Sequence, residues 1–186
     1  VYGHQTLGLA DVAVAEGSRV PAFAAEADVW AVPGHTDTHL AYVLHGQGAQ
    51  PTRVFCGDTL FSAGCGRVFT GTAAQLHHSL QRLNTLPENT LFYPAHEYTA
   101  ANLRFAAAVE PGNADVQAAL AAAANTPTLP VTLAHERRVN PFLRTDKASV
   151  QAAAVAAGLP ADQSTDGAAA LAASRERKNR CYGCLK

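Results

Sequence analysis

The chain has 186 residues, 48% of them apolar and 16% charged, with 14 Lys and Arg against 15 Asp and Glu. That near-balance leaves no global field to hold a polyanion, so nucleic acid is not an expected partner, and no apolar run approaches the ~20 residues that span a bilayer. One ordinary domain or two small ones fit this length. Four cysteines are too few for a disulfide scaffold, which makes a reducing cytoplasm the expected compartment. Eight histidines against one tryptophan favour metal or acid-base chemistry. With no methionine anywhere and Val1 at the start, the chain is expected to begin downstream of its translational start.

Short apolar runs broken by Gly, Pro, Asp and Thr predict strands at residues 29–32, 40–44, 53–56 and 90–93. Between the last two, Leu76, Leu80 and Leu83 recur at helical spacing after Thr72, predicting a capped helix over residues 72–86 and a strand-helix-strand unit. Residues 99–109 predict another helix, closed by Pro111 and Gly112. Beyond Glu110 alanine dominates and alternation fades, and helices are expected at residues 113–124, 147–157 and 167–178. Residues 125–130 and the pair Asn140-Pro141 read as connections.

Three polar residues each follow a predicted strand and a tight turn: His35 after Pro33-Gly34, Asp58 after Gly57, and His96 after Pro94-Ala95. Loops at the ends of neighbouring strands converge, which is where α/β folds place their sites. Two imidazoles and a carboxylate suit zinc, iron or manganese, and the carboxylate can bridge two ions; calcium would want oxygen throughout. Read alone, each could equally be an unrelated surface residue. Arg175 and Lys178 lie three apart on a predicted helix, hence on one face, as an anion clamp or as a solvated helix end. Cys181 and Cys184 form a C-x-x-C with no second half to complete a zinc site.

The segments Val32-Pro33-Gly34-His35-Thr36-Asp37-Thr38-His39, residues 55–72 around Gly57-Asp58-Thr59, Ala95-His96-Glu97-Tyr98-Thr99 with Asn102-Leu103, and Arg175 with Lys178 together resemble the hydroxyacylglutathione hydrolase, or glyoxalase II, family. The resemblance covers the whole chain. It implies an α/β metallo-β-lactamase fold, an αββα sandwich incomplete at its N-terminus, over residues 1–98, and an all-α glutathione-binding domain over residues 99–186. It also implies hydrolysis of S-D-lactoylglutathione to glutathione and D-lactate with two divalent ions, zinc first and iron or manganese as alternatives, in a monomer. By motif match His35 would ligate one ion, His96 the other, and Asp58 both; Arg67, Tyr98, Arg175 and Lys178 would bind substrate.

The family's remaining ligands come from an upstream T-H-x-H-x-D-H motif that the chain does not contain, and His4 cannot replace it. Val1 is therefore expected to fall inside the catalytic domain, with on the order of 70 residues before it, and the chain by itself is expected to hold metal weakly and lack activity. Thr38 stands where the family has Gly, Phe69 where some members have Tyr, and Asn179-Arg180-Cys181 replaces the usual ending. The alternatives are an iron-dependent persulfide dioxygenase of the same superfamily and a non-catalytic glutathione-binding remnant. His77 and His78 read as helix surface, His45 and His135 as polar loops, and His39 as a packing or supporting residue.

Overall fold

The computed structural model describes residues 1–180 apart from 9, 24, 125 and 126. The C-x-x-C of Cys181 and Cys184 lies outside the described residues. A six-stranded sheet organises the rest. It is built from β3 (Arg19–Ala22), β4 (Ala25–Ala31), β5 (Leu40–Leu44), β6 (Arg53–Gly57), β9 (Leu91–Pro94) and β10 (Val131–Thr132), in the order β10-β9-β6-β5-β4-β3. Neighbours are antiparallel except β6 and β9, which are parallel. A parallel pair needs a crossover, and helix α1 (Ala73–Leu83) supplies it. Two small sheets complete the strands: β1 (Tyr2–His4) with β2 (Val12–Val14), and a hairpin of β7 (Leu60–Phe61) with β8 (Gly64–Cys65).

Side chains alternate across a strand, so each sheet face can be read from the sequence. On β6, Val54 and Cys56 point inward and are fully buried, while Phe55 faces outward and stacks on Tyr93 at 5.1 Å. Against the inner face α1 presents Leu76, Leu80 and Leu83, each with no exposed surface. Burial of this kind stabilises by roughly 1.5–3 kcal/mol per side chain. The helix starts at a capping box in which Thr72 Oγ1 accepts from the Gln75 amide and Gln75 Oε1 from the Thr72 amide.

The second half contributes α2 (Thr99–Val109), α3 (Ala114–Ala122), α4 (Leu133–Val139), α5 (Ala148–Ala156) and α6 (Gly167–Arg180). Helix α6 packs on α1 and α5, and Leu171 joins the same core as Leu76, Phe92, Phe105 and Phe142. Among the described residues no helix is long and apolar enough to cross a membrane.

The expected strands and helices are present, with ends shifted by a few residues. Three differences stand out. The strands before residue 25 and the 60–65 hairpin are too short to show a period, so within a stretch that reads as strands and turns the sequence sets no bounds for them. Residues 131–132 form a strand on the sheet edge, so the second half is not purely helical. His135 belongs to α4, not to a polar loop: Leu133, Glu136 and Val139 are buried at helical spacing, and Thr132 caps the start by accepting the His135 amide.

Candidate metal and glutathione site

His35, Asp58 and His96 come together at the ends of their strands. His35 Nε2 lies 3.8 Å from Asp58 Oδ2, and His96 Nε2 lies 3.3 Å from Asp58 Oδ1. Each imidazole thus faces a different carboxylate oxygen, in a row with Asp58 at the centre. His35 Nδ1 donates to the Arg67 carbonyl at 2.8 Å, which fixes the ring with Nε2 turned towards Asp58.

The Asp58 loop is held from behind. Gly57 adopts φ +53, and the Asp58 amide donates to His39 Nε2 at 3.0 Å. Burial lowers the His39 pKa, and the neighbouring His35 ring, at 5.4 Å, adds to that shift. His39 is therefore a neutral acceptor.

The donor set fits divalent ions in kind: two imidazoles whose Nε2 atoms face the two oxygens of one carboxylate suit a pair of ions. It is sparse in number. Among the described residues no three His, Cys, Asp or Glu side chains converge on one point, because the arrangement is a row, offering two donors to each ion.

The same residues line one wall of a cavity of about 420 Å³. Phe69 and Tyr98 stand at its rim, with Phe69 edge-on to His35 at 5.0 Å and Tyr98 stacked on His96 at 4.9 Å. Across from them lie Arg175 and Lys178, with Arg67 also lining the space. Sequence spacing had left this pair open between a clamp and a solvated helix end; only 5% of Arg175 and 3% of Lys178 is exposed. Arg175 donates to the Cys65 carbonyl and to Asn179 Oδ1, both at 3.0 Å, while its buried Nε has no partner among the described residues. Lys178 Nζ donates to Asn102 Oδ1 and sits 5.4 Å from the Phe105 ring centre. Burial, with repulsion from Arg175 and Arg67, lowers the Lys178 pKa to about 7.

A wider groove of about 640 Å³ opens between α2, α5 and α6. Its Arg144 and Glu110 are bonded to each other at 2.8 and 2.9 Å, and among the described residues no histidine or cysteine lines it. The smaller cavity is the one with chemistry.

Sheet, hairpin and helices are shared with metallo-β-lactamase folds. Over 76% of this chain and 38% of the other, the structure matches the metallo-β-lactamase of Staphylococcus aureus subsp. aureus COL with a TM-score of 0.52 at 21% identity. It also matches the crystal structure of ETHE1 from Myxococcus xanthus with a TM-score of 0.55, at 29% identity over 95% of this chain and 65% of that one. The protein is thus a metallo-β-lactamase-fold protein. Residues 97–181 match the family model described as hydroxyacylglutathione hydrolase C-terminus. Hydroxyacylglutathione hydrolase of Neisseria meningitidis serogroup C (strain 053442) is 59% identical over 97% of this chain, which spans 70% of that protein. The chain belongs to the hydroxyacylglutathione hydrolase (glyoxalase II) family, a family of hydrolases, and the persulfide dioxygenase alternative is not the better supported of the two.

Proposed function

We propose that the cavity binds a hydroxyacylglutathione thioester such as S-D-lactoylglutathione, with the thioester towards Asp58 and a glutathione carboxylate on Arg175 and Lys178. The observation that carries this is the pair of buried cations. Among the described residues neither Arg175 nor Lys178 forms an ion pair. Burying unneutralised charge costs several kcal/mol, and an anionic ligand offsets that cost.

In this reading His35 and His96 would each hold one divalent ion, zinc first, and Asp58 would serve both. When bound, such ions supply water with a pKa near 7 and polarise a carbonyl. The chain's own residues set the stage. The Arg67 carbonyl fixes the His35 ring, His39 fixes the Asp58 loop, and Tyr98 and Phe69 narrow the mouth beside the reacting group. The leaving thiolate has a pKa near 8.5, so it departs without a strong acid. Donors before residue 98 and cations after it divide the work between a catalytic part, residues 1–98, and a glutathione-binding part, residues 99–186. A cytoplasmic monomer suffices for this scheme.

Calorimetric titration of the 186-residue chain with S-methylglutathione tests the reading. Saturable binding that disappears in the Arg175→Ala/Lys178→Ala double variant supports it. No binding by the parent chain sinks it.

A further inference from the structure

Beneath the wall that carries the cations lies a polar cluster that the proposed chemistry does not use. Glu136, on α4, has no exposed surface, and its Oε2 accepts from the Ala63 amide at 2.9 Å and from Asn140 Nδ2 at 2.8 Å. Asn140, equally buried, also directs that amide group at the Phe61 carbonyl, 3.2 Å away, and the Gly64 carbonyl, 2.9 Å away. Ala63 adopts φ +52, a left-handed conformation that costs a non-glycine residue on the order of 1–3 kcal/mol and persists only where its surroundings impose it. Here the surroundings are one carboxylate and one amide.

From the other side the same turn holds the site. The Ser62 carbonyl accepts from Asn102 Nδ2 at 2.8 Å, and Asn102 in turn accepts from Lys178. The Cys65 carbonyl accepts from Arg175. Gly64 allows the close approach, since a Cβ there would come within 2.5 Å of Asn102 Nδ2. The Ser62, Gly64 and Cys65 carbonyls of the hairpin are thus held by side chains from α2, the end of α4 and α6, with the longer Phe61 contact sharing a hydrogen of the same Asn140 NH2. Helix α4 grips the hairpin from below, and the hairpin aligns the two cations above.

We propose that Glu136, with Asn140, is a positioning residue for glutathione recognition: by fixing the turn at residues 62–63 it sets the carbonyls that orient Asn102 and Arg175, and through Asn102 the ammonium of Lys178. This rests on the reading that the cavity takes a glutathione carboxylate. The turn needs an acceptor at Oε2, not a charge. Oε1 and the nearby Ser62 Oγ both lack hydrogen-bond partners, although Ser62 lies close enough to ease the rise in the Glu136 pKa. A glutamine keeps the acceptor and puts an NH2 beside that hydroxyl, whereas a methionine of similar volume leaves the Ala63 amide unpaired.

Titration with S-methylglutathione is the experiment, in the 186-residue chain and its Glu136→Gln and Glu136→Met variants, each checked for a cooperative unfolding transition. Glu136→Gln should bind within about twofold of the parent and Glu136→Met at least tenfold more weakly. In a Lys178→Met background Glu136→Met should cost less than it does in the parent, the part routed through Asn102 being already lost and the part routed through Arg175 remaining. Parent-like binding by a folded Glu136→Met variant overturns the proposal. If that variant does not fold, Glu136→Gln decides, and a tenfold loss in it is equally fatal. If the parent binds no S-methylglutathione, the glutathione reading fails first, and side-chain amide NMR then judges the grip alone. A shifted Asn102 NH2 signal in Glu136→Met, restored in Glu136→Gln, upholds it; an unmoved signal overturns it.

Discussion

The backbone amide of Asp58 donates to His39 Nε2 at 3.0 Å, and that nitrogen occupies the space a side chain on Gly57 would need, since a Cβ there would come within 2.5 Å of it. One imidazole therefore fixes both the direction of the central carboxylate and the identity of the residue before it. Replacing His39 by leucine leaves the amide unpaired at a cost of about 1–3 kcal/mol, and the Asp58 loop loosens. Urea unfolding should show that loss, and Co2+ titration should show weaker binding. A glutamine, whose carbonyl can accept the same amide, should recover part of both.

Asp58→Asn should lower divalent-metal affinity at least tenfold. An amide oxygen is a neutral and poorer ligand, and two cations a few ångströms apart repel without a carboxylate between them. Because the described residues offer two donors per ion, the parent chain itself should lose most of its metal to a micromolar chelator. Elemental analysis after gel filtration checks both statements. Stoichiometric metal in the parent, or equal affinity in Asp58→Asn, would contradict them.

Arg175 and Lys178 should govern affinity and not chemistry, since a glutathione carboxylate does not change during hydrolysis. A charge-assisted hydrogen bond is worth about 1.5–3 kcal/mol, so Arg175→Ala should weaken S-methylglutathione binding roughly tenfold to a hundredfold. In a catalytically active relative carrying the same change, KM should rise by a similar factor with kcat little altered. Added salt should weaken the parent's binding more than that of the double alanine variant. A fall in kcat at constant KM would move the pair into the transition state.

Two buried groups should give stability a minimum near pH 7. Burial pushes the Glu136 carboxyl up to about 7, against the hydrogen bonds from Asn140 and Ala63. The folded state therefore holds this proton more tightly than the unfolded state, and stability is lost as pH rises from about 4.5 through 7. For Lys178, lowered from 10.5 to about 7 by burial and by Arg175, the sign reverses. The folded state gives up that proton more readily, so stability is regained as pH rises from 7 towards 10. At 1.36 kcal/mol per pH unit the two effects are roughly 3 and 5 kcal/mol. Thermal melts between pH 5 and 9 should trace the dip. Glu136→Gln should flatten the acidic limb and Lys178→Met the alkaline one, and a stability maximum at pH 7 would refute the assignment.

The same Lys178 makes ligand binding a proton-linked event. A carboxylate arriving beside its ammonium restores the charged form, so above pH 7 S-methylglutathione should bind with net proton uptake. Titrations in buffers of different ionisation enthalpy measure this directly, and the uptake should vanish in Lys178→Met.

Local pattern carried much of this molecule. The strands at β4, β5, β6 and β9 follow from apolar runs stopped by Gly or Pro, and α1 from Leu76, Leu80 and Leu83 behind the Thr72 cap, because burial on one face leaves a period in the chain. His35, Asp58 and His96 could be picked out as residues following strand and turn, since strand ends converge in any such sheet. Other features have no period to read. Whether Arg175 and Lys178 are a solvated helix end or buried cations depends on what α6 packs against, and α1, α5 and the 60–65 hairpin lie far away in sequence. His39 reads from the sequence as a packing or supporting residue, and Glu136 carries no signal there that singles it out. Their roles arise from backbone amides, Asp58 and Ala63, that lie 19 and 73 positions away. Composition and spacing record which side chains seek burial or bear charge, but when a side chain accepts from a distant main-chain amide, nothing in the side chain at the amide's own position marks the pairing. Only the closed tertiary structure decides it.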